Sequence, residues 1–197
     1  MIRYQQPVFG QIRAELDPTA VCGKDIKLLA LEPNLFKAQP EAHPTEVCSA
    51  LRVLYDTLEQ AANNDGRLAS GSPLIRGWTL SYDIYSPKLA RFIEVDECQH
   101  FSRPRLKRIW EACSSGQPPL YPAHFWNAVF ERLMKKPFRD LDPPHRDEQR
   151  AFRDEAREIL PRAYGLAATI RLDEYSLRET GSTAVDMIQQ LLASEAS

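Results

Sequence analysis

Alternating apolar and polar positions in the middle of the chain predict a two-stranded hairpin. The segment 78–85 (WTLSYDIY) places Leu80, Tyr82 and Ile84 on one face, and the segment 90–97 (ARFIEVDE) does the same with Ile93 and Val95. Residues 86–89 (SPKL) connect the two strands. We expect this hairpin to turn one face toward an apolar core.

Apolar residues recur at helical spacing on both sides of the hairpin. A helix capped by Thr45 is predicted to run through EVCSALRVLYDTLEQAA and to end at residues 63–66. Further helices are predicted in RPRLKRIWEACSSG, in PAHFWNAVFERLMKK, over 146–160 with a stop at Pro161, and in the amphipathic tail TAVDMIQQLLA. GLAATIRL (165–172) predicts a buried strand, and short strands are expected around 4–9 and 26–31.

The order helix, strand, strand, helix, strand is typical of the α/β class. We therefore expect a single domain over 1–197. Its core would cover 45–101 and 145–173, with a helical insertion around 102–145 (102–144 as a unit) and a C-terminal helix over 182–193. That last helix would pack either on the body of the domain or on a second subunit, so a homodimer through it is one possibility.

The composition fits an ordinary globular chain. Of 197 residues, 43% are hydrophobic and 26% are charged, which excludes collagen, a coiled coil and wholesale disorder. No apolar run approaches the roughly 20 residues that span a bilayer, and the first residues lack an apolar signal, so we expect a cytoplasmic protein without a membrane partner. The four cysteines form no CxxC pair, and we expect reduced thiols.

Charge is unevenly distributed along the chain. The formal net charge is −2, yet residues 88–139 carry ten basic and five acidic side chains. A local basic patch of this kind binds polyanions even when the whole protein is acidic. The alternative is an ordinary solvated helix surface.

The hairpin brings three acids to one face. A four-residue connection pairs Asp83 with Phe92, so Asp83, Glu94 and Asp96 point to the same side, and Asp83 lies diagonally across from Glu94. A slip of one residue would place Asp83 on the apolar face, where a carboxylate is costly. Like charges this close repel each other, which favours a bound Mg²⁺ or Mn²⁺. The alternative is a solvated acidic face paired with Arg or Lys.

Gln99 and His100 follow these acids directly. His100 is a candidate base, or a group that positions water or phosphate. A single histidine is also common as a structural residue.

The segment YDIYSPKLARFIEVDECQHF resembles the core signature of the PD-(D/E)XK nuclease superfamily, and within it the small endonucleases related to the very short patch repair enzyme. Glu46 on the first helix, RDEQR (146–150) and TIRL (169–172) extend the resemblance, which covers about 45–101 and 145–173. It implies a restriction-endonuclease-like core, that is, a central mixed β-sheet flanked by helices. It also implies metal-dependent hydrolysis of phosphodiester bonds in DNA, in repair, restriction or phage defence.

The chain departs from the superfamily pattern at one catalytic position. The superfamily places a lysine two residues after the Glu of the motif, which is Glu94 here, and that position is Asp96 in this chain. Very-short-patch-like members also lack this lysine. Gln99 or His100, and less directly Lys88, would then activate water. The acidic C-terminal third is a second departure, because it suits a DNA-coating protein poorly.

The resemblance and the hairpin together give a set of candidate residues. The catalytic candidates are Asp83, Glu94, Asp96, Gln99 and His100, and the candidate ligands of Mg²⁺ or Mn²⁺ are Asp83, Glu94, Asp96 and Glu46. Basic residues near the metal strand and on the later helix are candidates for contacts with the DNA backbone: Arg103, Arg105, Lys107, Arg108, Arg146 and Arg150. Solvated helix faces with i,i+4 pairs are the alternative for these side chains.

Two other functions and one other metal site stay open at this point. The chain is a candidate for a catalytically degenerate nuclease fold that binds nucleic acid or a protein partner, or for a metal hydrolase with a different substrate. Cys98, His100, Cys113 and His124 also offer four possible zinc ligands, although their spacing matches no standard zinc finger.

Overall fold

A computed structural model describes residues 5–68, 72–75, 77–114, 131–140, 145–179 and 181–195 of the chain. Four strands form a mixed sheet in the order β1-β2-β3-β4: β1 (Val21–Cys22), β2 (Ile84–Ser86), β3 (Arg91–Asp96) and β4 (Ile170–Asp173). The first two pairings are antiparallel, and β3 and β4 are parallel. The predicted α/β class with a central mixed sheet is confirmed.

Helices surround this sheet. They are α1 (Gln5–Gln11, continued by a π-helical turn over Ile12–Leu16), α2 (Thr45–Asn64), α3 (Arg103–Ser114), α4 (Glu131–Lys135), α5 (Arg146–Ala163), α6 (Glu174–Glu179) and α7 (Ala184–Glu195). Short 3₁₀ turns cover Gly23–Leu28, Pro33–Phe36, Pro40–Ala42 and Cys98–His100. The predicted helices over 45–62, in 103–114 and in the tail are confirmed. Most of the predicted helix in PAHFWNAVFERLMKK lies outside the described residues.

Two apolar layers enclose the sheet, one on each face. Leu51, Leu54 and Leu58 of α2 pack with Phe152 of α5 and Phe92 of β3. On the other face, α1 and α7 cover the sheet residues Ile84, Ile93, Val95, Ile170 and Leu172. The sheet is therefore buried on both sides, which explains why β2, β4 and nearly all of β3 are buried residue by residue.

The hairpin register differs by two residues from the predicted one. Tyr85 pairs with Phe92 and Ser86 with Arg91, so the connection is 87–90. The buried carboxylate of Asp17 explains the shift, since it accepts the Ser86 hydroxyl at 2.6 Å and the Lys88 backbone N–H at 3.0 Å. Because the shift is even, the acids stay on their predicted face.

The first strand of the hairpin is shorter than the predicted 78–85. Only Ile84–Ser86 pair regularly in β2, while Thr79 forms an isolated bridge with Lys37. Tyr82 packs in the layer of α2 and α5, whereas Ile84 packs in the opposite layer. The prediction that these two residues share a face is wrong, because the chain is irregular before β2.

Other local predictions are also corrected. The segments predicted as strands around 4–9 and 26–31 contain α1 and a 3₁₀ turn instead, and Thr45 is the first helical residue rather than the cap. The helix predicted to stop at Pro161 continues to Ala163. Proline removes the donor for the Arg157 carbonyl, and the Thr169 hydroxyl replaces it at 2.9 Å.

The C-terminal helix packs on its own chain. Ala184, Val185, Met187 and Ile188 of α7 are buried, and the Ala184 N–H donates to the side chain of Gln11 at 3.1 Å. The apolar face that suggested a second subunit is thus largely occupied within the chain. Within the described ranges, no helix is both long and apolar enough to cross a membrane.

Candidate functional site

A buried group of charged side chains lies between β3, β4 and α5. We call it the charged cluster; its members are Asp83, Glu94, Asp96, His100, Arg105, Asp154, Arg157, Glu158 and Arg171. Glu94 is 2% exposed and Asp96 is fully buried. Buried charges need partners, so the pairing inside this group decides what it does.

Asp83 and Glu94 face each other across β2 and β3. The Asp83 backbone N–H donates to Glu94 Oε1 at 3.1 Å, and the Val95 N–H donates to Asp83 Oδ2 at 2.9 Å. Gln5 donates its amide to Asp83 Oδ1 at 3.1 Å, and Arg157 Nε lies 2.9 Å from Glu94 Oε2. Two of the four predicted metal-binding carboxylates are therefore side by side.

The protonation of this pair is strongly perturbed. Burial raises the pKa of Glu94 to about 8, although the charge of Arg157 opposes the change. Burial also raises the pKa of Asp83, although the Val95 N–H and Arg157 oppose the change. Burial thus opposes full ionisation of the two adjacent carboxyl groups.

Asp96 is in a different environment. Arg171 Nη1 donates to both carboxylate oxygens of Asp96, at 2.6 and 2.8 Å. Burial alone would raise the pKa of Asp96, but the charges of Arg171 and His100 hold it below its usual value. Since both of its oxygens serve this guanidinium, the structure does not support Asp96 as a metal ligand.

His100 forms a dyad with a buried aspartate on α5. Its Nδ1 lies 2.9 Å from Asp154 Oδ2 and 3.5 Å from Asp96 Oδ1. Burial would lower the pKa of His100, but Asp154 and Asp96 outweigh this effect and raise it. Because Nδ1 is held by Asp154, Nε2 is the ring nitrogen left for other chemistry.

Arginines tie the rest of the cluster together. Arg171 Nη2 donates to the Asp154 carbonyl at 2.8 Å, and its Nε lies 2.6 Å from Glu158 Oε1. Arg105 also pairs with Glu158 and is only 1% exposed. The prediction that Arg105 grips a phosphate is therefore wrong, because its side chain is buried in an ion pair.

The other predicted basic residues vary in availability. Arg103 and Lys107 are exposed, whereas Arg108 pairs with Glu155 at 2.6 Å and Arg146 with Asp140 at 3.4 Å. Arg150 is mostly buried and donates to the Gln99 carbonyl at 3.0 Å.

Two further predicted site residues lie at the margin of the cluster or outside it. Gln99 turns its amide toward Glu97 at 3.4 Å. Glu46 is exposed on the first turn of α2. This end of α2 lies near the end of α5, because His43 contacts Tyr164 at 2.8 Å. Its prediction as a metal ligand is not supported, because the described contacts of the cluster do not include it.

A metal therefore fits this site only in part. Over the described ranges, no three His, Cys, Asp or Glu side chains form a group arranged to hold a metal ion. Asp83 and Glu94 offer two adjacent carboxylates, which suits a hard divalent cation completed by water. For the zinc alternative, His124 and the side chain of Cys113 lie outside the described residues.

The balance of charge leaves room for one more positive charge at this pair. With all five of its carboxylates ionised, the cluster would carry one negative charge more than its three arginines and a protonated His100 balance. Asp83 and Glu94 are where this excess lies, because Asp83 forms no ion pair with a cationic side chain in the described part of the chain. A bound cation or a retained proton would correct it.

The sequence analysis missed Asp154, Arg157 and Glu158. All three lie on α5, where charged residues 147, 150, 154 and 157 recur at helical spacing beside the apolar stripe. From sequence alone, the charged residues match solvent-facing i,i+4 pairs. The signal was that these charges fall on the same side of the helix as Ala151 and Phe152.

Comparison of the chain with protein-family models, with curated proteins and with solved structures gives no match.

Proposed function

We propose that this protein is a metal-dependent nuclease that hydrolyses phosphodiester bonds in DNA, with Asp83 and Glu94 as its cation-binding pair. The observation that carries the proposal is the adjacency of these two mostly buried carboxylates, of which only Glu94 has an arginine partner among the described residues. The resemblance of the segment 82–101 to nuclease sequences gives the class of reaction. Asp96 and Glu46 are not part of the proposed ligand set.

The residues of the cluster divide into three roles. A divalent cation on Asp83 and Glu94 would supply the Lewis acidity that activates water and offsets phosphate charge. In its neutral form, His100 would accept a proton at Nε2, while Asp154 fixes the ring through Nδ1. Asp96 and Arg171 lock β3 to β4 and keep the pair in place.

DNA would approach over the exposed basic residues at the start of α3. Arg103 and Lys107 are exposed. Lys107 lies 3.8 Å from Glu111, a surface residue of the same helix. Contacts of this kind are independent of sequence and position the backbone.

A second function is favoured by one specific observation. Each carboxylate oxygen of Asp83 and Glu94 already contacts a protein N–H group or Arg157. Carboxylates that have protein partners do not require a cation. The same site would therefore fit a nuclease fold that binds nucleic acid without cleaving it.

The test is a nicking assay on supercoiled plasmid with Mg²⁺ or Mn²⁺. Asp83→Asn and Glu94→Gln are each expected to lower the rate by about a hundredfold or more, because a metal-assisted step depends on several kcal/mol of charge stabilisation. Asp56→Asn, at an exposed position of α2, is the matched control and should cut like the wild type.

Circular dichroism and thermal unfolding must show that the variants are folded. Nicking that survives both substitutions would overturn the catalytic proposal. Plasmid binding without any cleavage by the wild type, in either metal, would favour the binding module.

A further inference from the structure

A pocket with three arginines lies next to the charged cluster. Its volume is about 420 Å³, and it lies between the end of α2, the start of α3 and the start of α5. Arg67, Arg103 and Arg139 line it together with Asp65 and Asp147. Arg67 and Arg139 were not among the residues that the sequence singled out.

A short backbone bridge joins the two segments that carry two of these arginines. The Phe138 N–H donates to the Phe101 carbonyl at 3.1 Å, and Ser102 forms a parallel bridge with Phe138. Arg103 and Arg139 are the next residues on the two bridged segments, and both line the pocket.

The charges in the pocket are unequally satisfied. Asp65 lies 3.1 Å from Arg67, and Asp147 accepts the Asp140 N–H at 3.2 Å and lies 3.7 Å from Arg150. Both acids thus have partners. Arg103 and Arg139 are exposed, and neither forms an ion pair with an acid of the described part of the chain. Two guanidinium groups that line one pocket without an acidic partner favour a bound anion.

The pocket lies at a defined distance from the cluster along α5. Asp147 lines the pocket and Asp154 holds His100; seven residues of helix separate them by about 10 Å. Arg150, between the two, donates to the Gln99 carbonyl at 3.0 Å. One nucleic-acid strand could therefore contact both the pocket and the cluster.

We propose that Arg103 and Arg139 bind the phosphodiester backbone of a nucleic acid in this pocket, to one side of the bond that the Asp83–Glu94 site cleaves. The location of the cleaved bond rests on the proposed nuclease function. The backbone contact itself does not.

The test measures binding without cleavage. A fluorescein-labelled 20-base-pair duplex and the matching single strand are titrated with protein in EDTA, and fluorescence anisotropy is recorded at several salt concentrations. For Arg103→Ala/Arg139→Ala, Kd is expected to rise about tenfold for at least one probe, and the slope of log K against log salt is expected to become shallower by about two, one unit for each lost phosphate contact.

The control removes the same charge elsewhere. Arg52→Ala/Arg162→Ala changes two exposed arginines away from the pocket and should bind both probes like the wild type. Equal affinity of the two double variants would overturn the proposal, as would a wild type that binds neither probe.

The nicking assay separates this proposal from the proposed function. If the wild type cleaves plasmid and Arg103→Ala/Arg139→Ala cleaves with an unchanged KM, the pocket proposal fails and the nuclease stands. If the wild type does not cleave but binding still depends on the two arginines, the nuclease proposal fails and the pocket proposal stands.

Discussion

His100 Nδ1 lies 2.9 Å from the carboxylate of Asp154, a residue 54 positions later in the chain. The contact joins the 3₁₀ turn that follows β3 to the middle of α5. It sets the orientation of the imidazole ring, and it links the protonation of His100 to the stability of the fold.

The first prediction concerns this link. Because Asp154 and Asp96 raise the pKa of His100 above the value in the unfolded chain, its protonated form stabilises the fold. That contribution is complete below about pH 6.5 and is lost as the pH rises through the folded pKa. His100→Gln should therefore reduce the free energy of unfolding by about 2 kcal/mol at pH 6 and by less at pH 9, measured by urea denaturation.

His43→Gln is the control for that experiment. Burial lowers the pKa of His43, so its pH trend should run in the opposite direction. A loss at His100 that is equal at the two pH values would contradict the dyad.

Arg171 is predicted to be a main stabilising residue of the cluster. Arg171→Met leaves Asp96 and Glu158 with less positive charge in a buried site and should cost about 3–5 kcal/mol. Urea unfolding measures the loss, and Arg178→Met, on the exposed side of α6, should change little. Adding Asp96→Asn to Arg171→Met should recover part of the loss. If the free energy of unfolding of Arg171→Met lay within 1 kcal/mol of the wild-type value, the ion pair of Arg171 with Asp96 would be unimportant for stability.

Asp17 should stabilise the turn between β2 and β3. Hydrogen bonds from Ser86, Thr19 and Lys88 overcome burial and lower the pKa of Asp17 to about 2. The contribution is therefore present above about pH 3.8 and is lost as the pH falls toward 2. Asp17→Asn should cost about 2 kcal/mol at pH 6 and less at pH 3 in urea unfolding. Asp25→Asn, at an exposed position, is the control; a cost independent of pH would argue against an ionised Asp17.

The last residue of the same turn offers a backbone test. Ala90 has φ +49°, a conformation that costs a non-glycine residue about 1 kcal/mol. Ala90→Gly should raise Tm by a few degrees or leave it unchanged, whereas Ala50→Gly on the exposed face of α2 should destabilise by about 1 kcal/mol. A fall in Tm at position 90 as large as at position 50 would contradict this turn geometry.

Sequence alone predicted the features that depend on local periodicity. The spacing of Leu51, Leu54 and Leu58 located α2, and the parity of the hairpin placed Asp83 on the face of Glu94. Parity depends only on the alternation of side chains along each strand, so it survived an error of two residues in the register. The register itself depends on Asp17, which is distant in sequence from Ser86.

The partners of the acids were not predictable in the same way. Arg157 and Asp154 reach β3 only because α5 packs across the sheet, and their charged pattern is shared by solvated helices. Pro161 suggested a helix stop because proline lacks the backbone N–H that a helix needs. The Thr169 hydroxyl replaces this donor, but it belongs to the next segment, so helical periodicity could not predict it. Glu46 matched a family position but lies on an exposed turn.

Calorimetric titration of Mn²⁺ into the metal-free protein tests the central claim most directly. The wild type and Asp56→Asn should each bind Mn²⁺ at a site that is lost in Glu94→Gln and in Asp83→Asn, while all four proteins keep the same circular dichroism spectrum. Binding of Mn²⁺ that is unchanged in both variants, or absent from the folded wild type, would contradict the assignment of Asp83 and Glu94 as the cation-binding pair.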